Sequence, residues 1–441
     1  MQPTILASGS GSVPDDDGRL LKELLQRTRH CRSAATSIAA VLARLDAADL
    51  PRREEMRKSF VQLSDCRAID MAVGTKLQSL RAFSGRFPWY PDAFAVPDEL
   101  PALHRAGMAD PAARWILKHP SMNRGQGVSM LRSLDELDAQ LEQQQRNVSE
   151  GRASPLRMIV QRNVGAPLTM QGYKFHYRLY ALLSSACAAA PRLWVYPAAV
   201  TRFSTARYAG AGAERKQAHV TNSAVNDGEA DYCETAPWAM RTLQAVLREL
   251  ARDGSHRGSG ASSRRVRPHA VMAESFEVVA RAFGEGLRLH LLHQPNSPPL
   301  SPLSPPSRGR FGRSASPSAA SAGCHGVYGV DMMLDAALHV WLIELPVGPQ
   351  MDCACPQDER LKDGLMRAML RHALEQRARD PSGSDLLGNV SAEAMIDGAA
   401  AAAVRADDRS PLLELPLLMA GGEGRRRHVD EPVCTDGENR M

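Results

Sequence analysis

At 441 residues, with 44% apolar residues, 5% aromatics and a formal charge of +5, the chain is too long for one small core and too weakly basic for a dedicated nucleic-acid binder. Its eight cysteines (31, 66, 187, 233, 324, 353, 355 and 434) form no CxxC pair of the kind that marks zinc sites, and no run reaches the roughly 20 apolar residues of a membrane span. The opening MQPTILASGSGSVPDDDG lacks the basic start and apolar core of a signal peptide, so a cytoplasmic protein is expected.

In chain order, residues 1–18 read as a flexible start. Residues 19–113 read as a helical region and connector. Leu20, Leu21, Leu24 and Leu25 open an amphipathic stretch stopped by Pro51, and Met56, Phe60 and Leu63 suggest a second helix. The proline-broken, aromatic-rich run from Arg81 to Leu103 then serves as an ordered connector.

The segment RWILKHPSMNRGQGVSML begins at Arg114. Trp115 to Leu117 predict a strand that delivers Lys118, and a second strand starts at Val128. Between them Arg124-Gly125-Gln126-Gly127 predicts a flap whose backbone N–H groups approach phosphate, since glycine has no Cβ to stand in the way. An ordinary hairpin turn is the plainer alternative. Ser133-Leu134-Asp135-Glu136 predicts a capped helix, and Arg157 to Gln161 a strand.

KFHYRLYALLSS then alternates, with Lys174, His176 and Arg178 on one face. So many potential cations on one strand face suit a phosphate surface, whereas a solvated edge would mix signs. Strands are expected at 192–196 and around Arg202-Phe203-Ser204, followed by the polar cluster His219-Val220-Thr221-Asn222 and a helix from about Pro237 to Arg252. Residues 253–322 read as a low-complexity insertion around a helix-like segment from Met272 to Gly284.

GVYGVDMMLDAALHVWLIELPVG, from Gly326 to Gly348, predicts a β-hairpin turning at Asp335-Ala336-Ala337. An even-numbered loop would set Asp331 opposite Leu342, with Glu344 on the same face. Two neighbouring carboxylates repel unless a cation sits between them, and a pair of oxygen ligands is a common protein share of a Mg²⁺ site. Two solvated acids are the alternative. A helix from Asp358 to Arg379 follows, closing the unit at 323–379, and in the tail 380–441 little is expected to fold.

Taken together, WILKHPSMNRGQGV, IVQRNVGAPL, GYKFHYRLYALL, VTRFSTARY, HVTN and GVDMMLDAALHVWLIELPVGP occur in the order of the tubulin tyrosine ligase-like family of ATP-grasp enzymes, which the chain resembles over residues 114–374. The resemblance implies an α+β ATP-grasp fold at 114–252 and 323–379, in which two subdomains clasp ATP between antiparallel sheets. It also implies that Lys118 and Lys174 contact phosphates, that Arg124, Gly125, Gln126 and Gly127 cover them, and that Gln161, Arg162 and Val164 border the adenine. Arg178 and Arg202 would face the transferred phosphoryl group or the amino acid. His219, Val220, Thr221 and Asn222 would line the site, and Asp331 and Glu344 would hold Mg²⁺.

The activity implied is ATP-dependent ligation of an amino acid to a carboxyl group of tubulin or another acidic protein tail, with cytoskeletal association. Neither a membrane nor a nucleic acid is expected as partner. Three departures from the family pattern stand out: Glu344-Leu345-Pro346 replaces Glu-x-Asn, His176 replaces the acid of KFD, and Tyr196-Pro197-Ala198-Ala199 replaces Tyr-Arg-Glu-Gly. They leave open a second function, an impaired ATP-grasp domain that binds tubulin or nucleotide as a scaffold.

Overall fold

A computed structural model describes residues 53, 69–123, 125–152, 154, 157–184, 191–208, 216–226, 240–253, 266–292, 325–353, 356–379 and 413–415. Arg124, the helices expected before residue 69 and most of the low-complexity tract lie outside the described residues.

Two antiparallel sheets organise the chain. The smaller has the order β1 (Ala93–Val96), β4 (Met158–Arg162), β2 (Trp115–Lys118), β3 (Val128–Met130). Alternation in β2 turns Trp115 and Leu117 inward. They meet Val96, Leu103, Leu137 and Val160 beneath helices α3 (Leu100–Ala109) and α4 (Leu134–Ser149). The start of α4 is fixed by Ser133, whose hydroxyl accepts the Glu136 N–H.

The larger sheet runs β10 (Val340–Glu344), β9 (His325–Leu334), β6 (Tyr173–Ser184), β7 (Arg192–Arg207), β11 (Leu413–Leu415), with short β5 (Thr169–Met170) on β6 and β8 (Arg241–Thr242) on β7. Its apolar face packs on α7 (Leu243–Asp253), α8 (Pro268–Leu292) and two N-terminal helices, α1 (Asp70–Val73) and α2 (Lys76–Phe83), in one continuous core. This is the α+β arrangement of two antiparallel units that the resemblance implies.

Four expectations change. The strands at 192–196 and 202–204 are one long strand, because a register shift between Arg178 and Tyr180 absorbs Pro197 to Ala199 opposite Leu179, where a proline needs no ladder partner. The helix-like segment within the supposed insertion is the 25-residue α8, whose buried face runs from Val271 to Leu287, so the low-complexity block is not continuous over 253–322. The tail supplies β11, paired with β7 from Leu413↔Val195 to Leu415↔Leu193. In the hairpin, Leu342 pairs with Met332, and a bulge at Ile343 then brings Glu344 directly opposite Asp331.

Candidate active site

A cleft of about 1040 Å³ lies between the two sheets. One wall carries Ile116 and Lys118 of β2, Met130 of β3 and Gln161 of β4. The other carries Lys174 and His176 of β6, Asp331 and Met333 of β9, and Ile343 and Glu344 of β10. Apolar and cationic groups are thus placed in one groove, the composition that a base and its phosphates require.

The glycine turn closes one side. Gly125 has φ +73°, and a Cβ there would stand 2.8 Å from Val225 and 2.9 Å from Val220. Only glycine lets this turn lie against the 219–222 segment. Gly127 (φ +63°) and exposed Gln126 complete the turn without lining the cleft.

His219, Val220, Thr221 and Asn222 leave a short helix, α5 (Lys216–His219), and are clamped to β7 by buried Asn226 of the next short helix, α6 (Ser223–Asn226). The Asn226 amide donates to the Val220 and Asn222 carbonyls at 2.9 Å, and its oxygen accepts from Thr205 N and Oγ1 at 3.0 and 2.7 Å.

The charged groups are unequally matched. Arg178 grips Asp331 through Nε and Nη2 at 2.6 and 2.7 Å. Burial alone would raise the Asp331 pKa, but the charge and hydrogen bonds of Arg178 outweigh it and hold the carboxyl at about 2. Lys118 donates to the neutral Oε1 of Gln161. Lys174 lies over the Tyr208 ring at 5.8 Å. Burial pushes both lysines down to about 8; Lys118 adds to the shift at Lys174, and at Lys118 the charges of Glu344 and Asp331 oppose that of Lys76. His176 is 2.5 Å from Thr221 Oγ1, and burial, with Arg202, Arg178 and Lys174 nearby, drives it to about 3 against the pull of Asp331. It is therefore neutral where the family pattern carries an acid.

Arg178 and Arg202 line an adjoining pocket of about 780 Å³ that shares Lys76, Asn123, Asn222 and Glu344 with the cleft. The buried Nε of Arg202 has no hydrogen-bond partner among the described residues. Pro346 also lines this pocket, against Gly329. Arg162 borders the cleft, with its guanidinium paired to Asp110 and Asp92. Val164 is buried in the wall.

Sequence reasoning passed over Lys76 and Asn226. Lys76 sits in the first turn of α2, where Thr75 and Gln78 form a full capping box. Its Nζ reaches Glu344 at 3.3 Å, Met122 O at 2.8 Å and Asn123 Oδ1 at 3.3 Å. The Thr-x-x-Gln signature marked a helix start, but nothing local linked it to a strand some 270 positions later.

These residues fit a triphosphate: a glycine cradle that a Cβ would fill, half-buried Lys118 and buried Lys174 with no carboxylate at ion-pair distance among the described residues, and an arginine nitrogen without a hydrogen-bond partner among them. They also offer magnesium the two adjacent carboxylates that are its usual protein share. Among the described residues no three His, Cys, Asp or Glu side chains gather as a metal cluster.

The chain matches the tubulin-tyrosine ligase family over residues 54–279 and 313–381, two stretches that bracket both sheets up to α9 (Pro356–Arg379). It belongs to that family. The fold is accordingly that of an ATP-grasp protein of the tubulin-tyrosine ligase type.

Among similar proteins, the human tubulin monoglutamylase TTLL4 is 23% identical over 299 residues, covering 65% of this chain and 20% of the relative. The human tubulin polyglutamylase TTLL5 is 23% identical over 312 residues, covering 67% and 20%. A probable alpha-tubulin polyglutamylase, Ttll1 of Tetrahymena thermophila, is 27% identical over 161 residues, covering 36% and 38%. The chain thus spans about a fifth of the length of these human relatives.

Proposed function

We propose that this chain is an ATP-dependent ligase that joins an amino acid to a carboxyl group of tubulin. The reading is carried by one observation: half-buried Lys118, buried Lys174, the Gly125 turn and the Asp331–Glu344 pair converge on a single cleft that opens into an arginine-bearing pocket.

A carboxylate acylates poorly. An oxygen of the acceptor carboxylate attacks the γ-phosphorus of ATP, the bond to the β–γ bridging oxygen breaks, and ADP leaves with an acyl phosphate formed. The amine of the incoming amino acid then attacks the acyl carbon, inorganic phosphate departs, and the nitrogen loses a proton. Lys118 and Lys174 hold the phosphates, and Arg202 offers its free Nε to the transferred group or to the amino-acid carboxylate. Fixed cations in a buried site stabilise the charge that develops during transfer. Asp331 and Glu344 would hold Mg²⁺, which supplies further neutralisation of that charge when bound.

No aromatic side chain lines the arginine-bearing pocket among the described residues; of its four cations Lys76, Arg178 and Lys362 are paired with Glu344, Asp331 and Asp358, and Arg202 has no ion pair among the described residues. That favours an acidic co-substrate over an aromatic one. Glutamate is the co-substrate we assign, in keeping with the names of the relatives. ATP turnover that requires both tubulin and glutamate is the expected result; turnover indifferent to tubulin would overturn the assignment.

A specific observation favours a second reading. Pro346 offers no side-chain oxygen to a metal and His176 is neutral, so a nucleotide-binding scaffold that grips tubulin without modifying it is the alternative. It predicts ATP binding without turnover.

A further inference from the structure

The described chain passes between its two sheets along 84–92, from α2 to β1, and again along 163–168, from β4 to β5. Both passages are pinned to the hairpin of the large sheet: Trp89 O accepts the Leu342 N–H at 2.8 Å, and Ala166 O accepts the Ala336 N–H at 2.7 Å. Together with the turn at 335–337 they wall a second cavity, of about 860 Å³. Arg162, Asn163 and Val164 border both this cavity and the nucleotide cleft.

The wall is aromatic, and its charges are already matched. Phe87, Tyr90 and Trp341 supply the rings. Arg86 is held by Glu285 at 2.7 Å and Arg162 by Asp110 and Asp92. Asp335 accepts the Ala337 and His339 N–H groups and Trp341 Nε1 at 2.9, 3.0 and 3.0 Å. Asn163 differs: it is 5% exposed, and its amide nitrogen has no hydrogen-bond partner among the described residues, the Tyr208 hydroxyl on which it acts being donated to Gly165 O at 3.4 Å. A charged ligand would give up its hydration here for no spare counter-charge. Flat apolar rings suit the aromatic wall, and an acceptor oxygen would satisfy Asn163.

We propose that this cavity is a second binding site, for an uncharged planar aromatic molecule bearing a hydrogen-bond acceptor, and that its occupancy is coupled to that of the nucleotide cleft. The site stands on the cavity alone; the coupling rests on the reading of the cleft as an ATP site. A ligand there touches both passages and the hairpin at once, so it fixes one setting of the small sheet against the large one. The cleft takes Lys118 from the small sheet and Lys174 from the large. A preference of the ligand for one setting is therefore felt as a change in ATP affinity, and ATP changes the affinity of the ligand by the same factor.

The probe is benzamide, followed by saturation-transfer NMR on the full chain at millimolar concentrations, with benzoate and benzylamine as its charged counterparts. Benzamide should bind and the charged pair should not. Saturating ATP should shift the benzamide affinity by at least about threefold without abolishing it. Ala337→Trp, at a position that lines this cavity and not the cleft, should abolish benzamide binding and leave ATP affinity unchanged. Gly165→Leu should do the same, because a Cβ there meets nothing within 4 Å and the side chain can extend without strain.

No transfer to benzamide in the wild-type chain, or equal transfer in both folded variants, overturns the site. Equal binding of benzoate or benzylamine overturns the neutral class of ligand. Benzamide and ATP that bind together with affinities independent of one another overturn the coupling alone. Absence of ATP binding overturns the reading of the cleft, and the coupling with it, while benzamide binding lost in the two variants still upholds the site.

Discussion

Lys174 is the most deeply buried lysine of the proposed ATP cleft. It is 2% exposed, sits among cations, and has its pKa pushed down to about 8, so its charged form is strained in the folded protein without a ligand. With the folded value below the ordinary 10.5, the unfolded chain holds more protons between the two, and stability rises as pH climbs through that window. Lys174→Met should therefore be the more stable protein at pH 7, with its advantage shrinking towards pH 10 in thermal melts. The same variant should bind ATP more weakly by about 1–3 kcal/mol, the usual cost of a lost charge-assisted contact.

His176 acts on the acid side. With its folded pKa at about 3 against an ordinary 6.5, the unfolded chain takes up the proton first, and stability falls as pH drops below 6.5. His176→Asn should flatten that slope, and unaltered acid melts would contradict the assignment. Lys118, Asp331 and Glu344 stood out in the sequence because each interrupts or ends an apolar strand with a charge, and Lys174 because it shares an alternating cationic face with His176 and Arg178. Lys76 was not, because its meaning depends on a contact with a strand from the far end of the chain.

At the scale of elements, the glycine turn and the hairpin set the geometry. Gly125 and Gly85 both adopt positive φ, but a Cβ at Gly85 meets nothing within 4 Å, whereas at Gly125 it meets Val225 and Val220. Gly125→Ala should therefore lower ATP affinity as well as stability, while Gly85→Ala should carry only the backbone cost of about 1 kcal/mol and leave affinity unchanged. Equal effects of the two on ATP binding would show that the turn does not depend on its approach to the 219–222 segment.

The hairpin itself could be read from two β-rich runs around a turn. Its register could not, since a loop from Asp335 to His339 and a bulge at Ile343 offset one another. Two independent irregularities returned the acids to one neighbourhood by a route that simple alternation does not reveal. Likewise β11 was hidden: three residues of a compositionally unremarkable tail gain their order from the edge of β7.

At the scale of the whole molecule, the order of elements made the fold recognisable, and the low-complexity tract obscured only where α8 ends. The core draws on α8 before that tract and on β9 after it, with β9 held between β6 and β10. Deleting residues 296–322 should accordingly leave the melting transition within a few degrees of wild type; loss of soluble protein would mean that the tract packs against the core. The cleft itself exists only when both sheets are assembled, because its lysines come from β2 and β6 and its carboxylates from β9 and β10.

The most direct test of that assembly as a working site is a mass spectrum of tubulin tails after incubation with the full chain, ATP and glutamate. We predict tails heavier by whole glutamate residues, dependent on ATP and lost in Lys174→Met. Tails left unchanged by a chain that demonstrably binds ATP would contradict the ligase account.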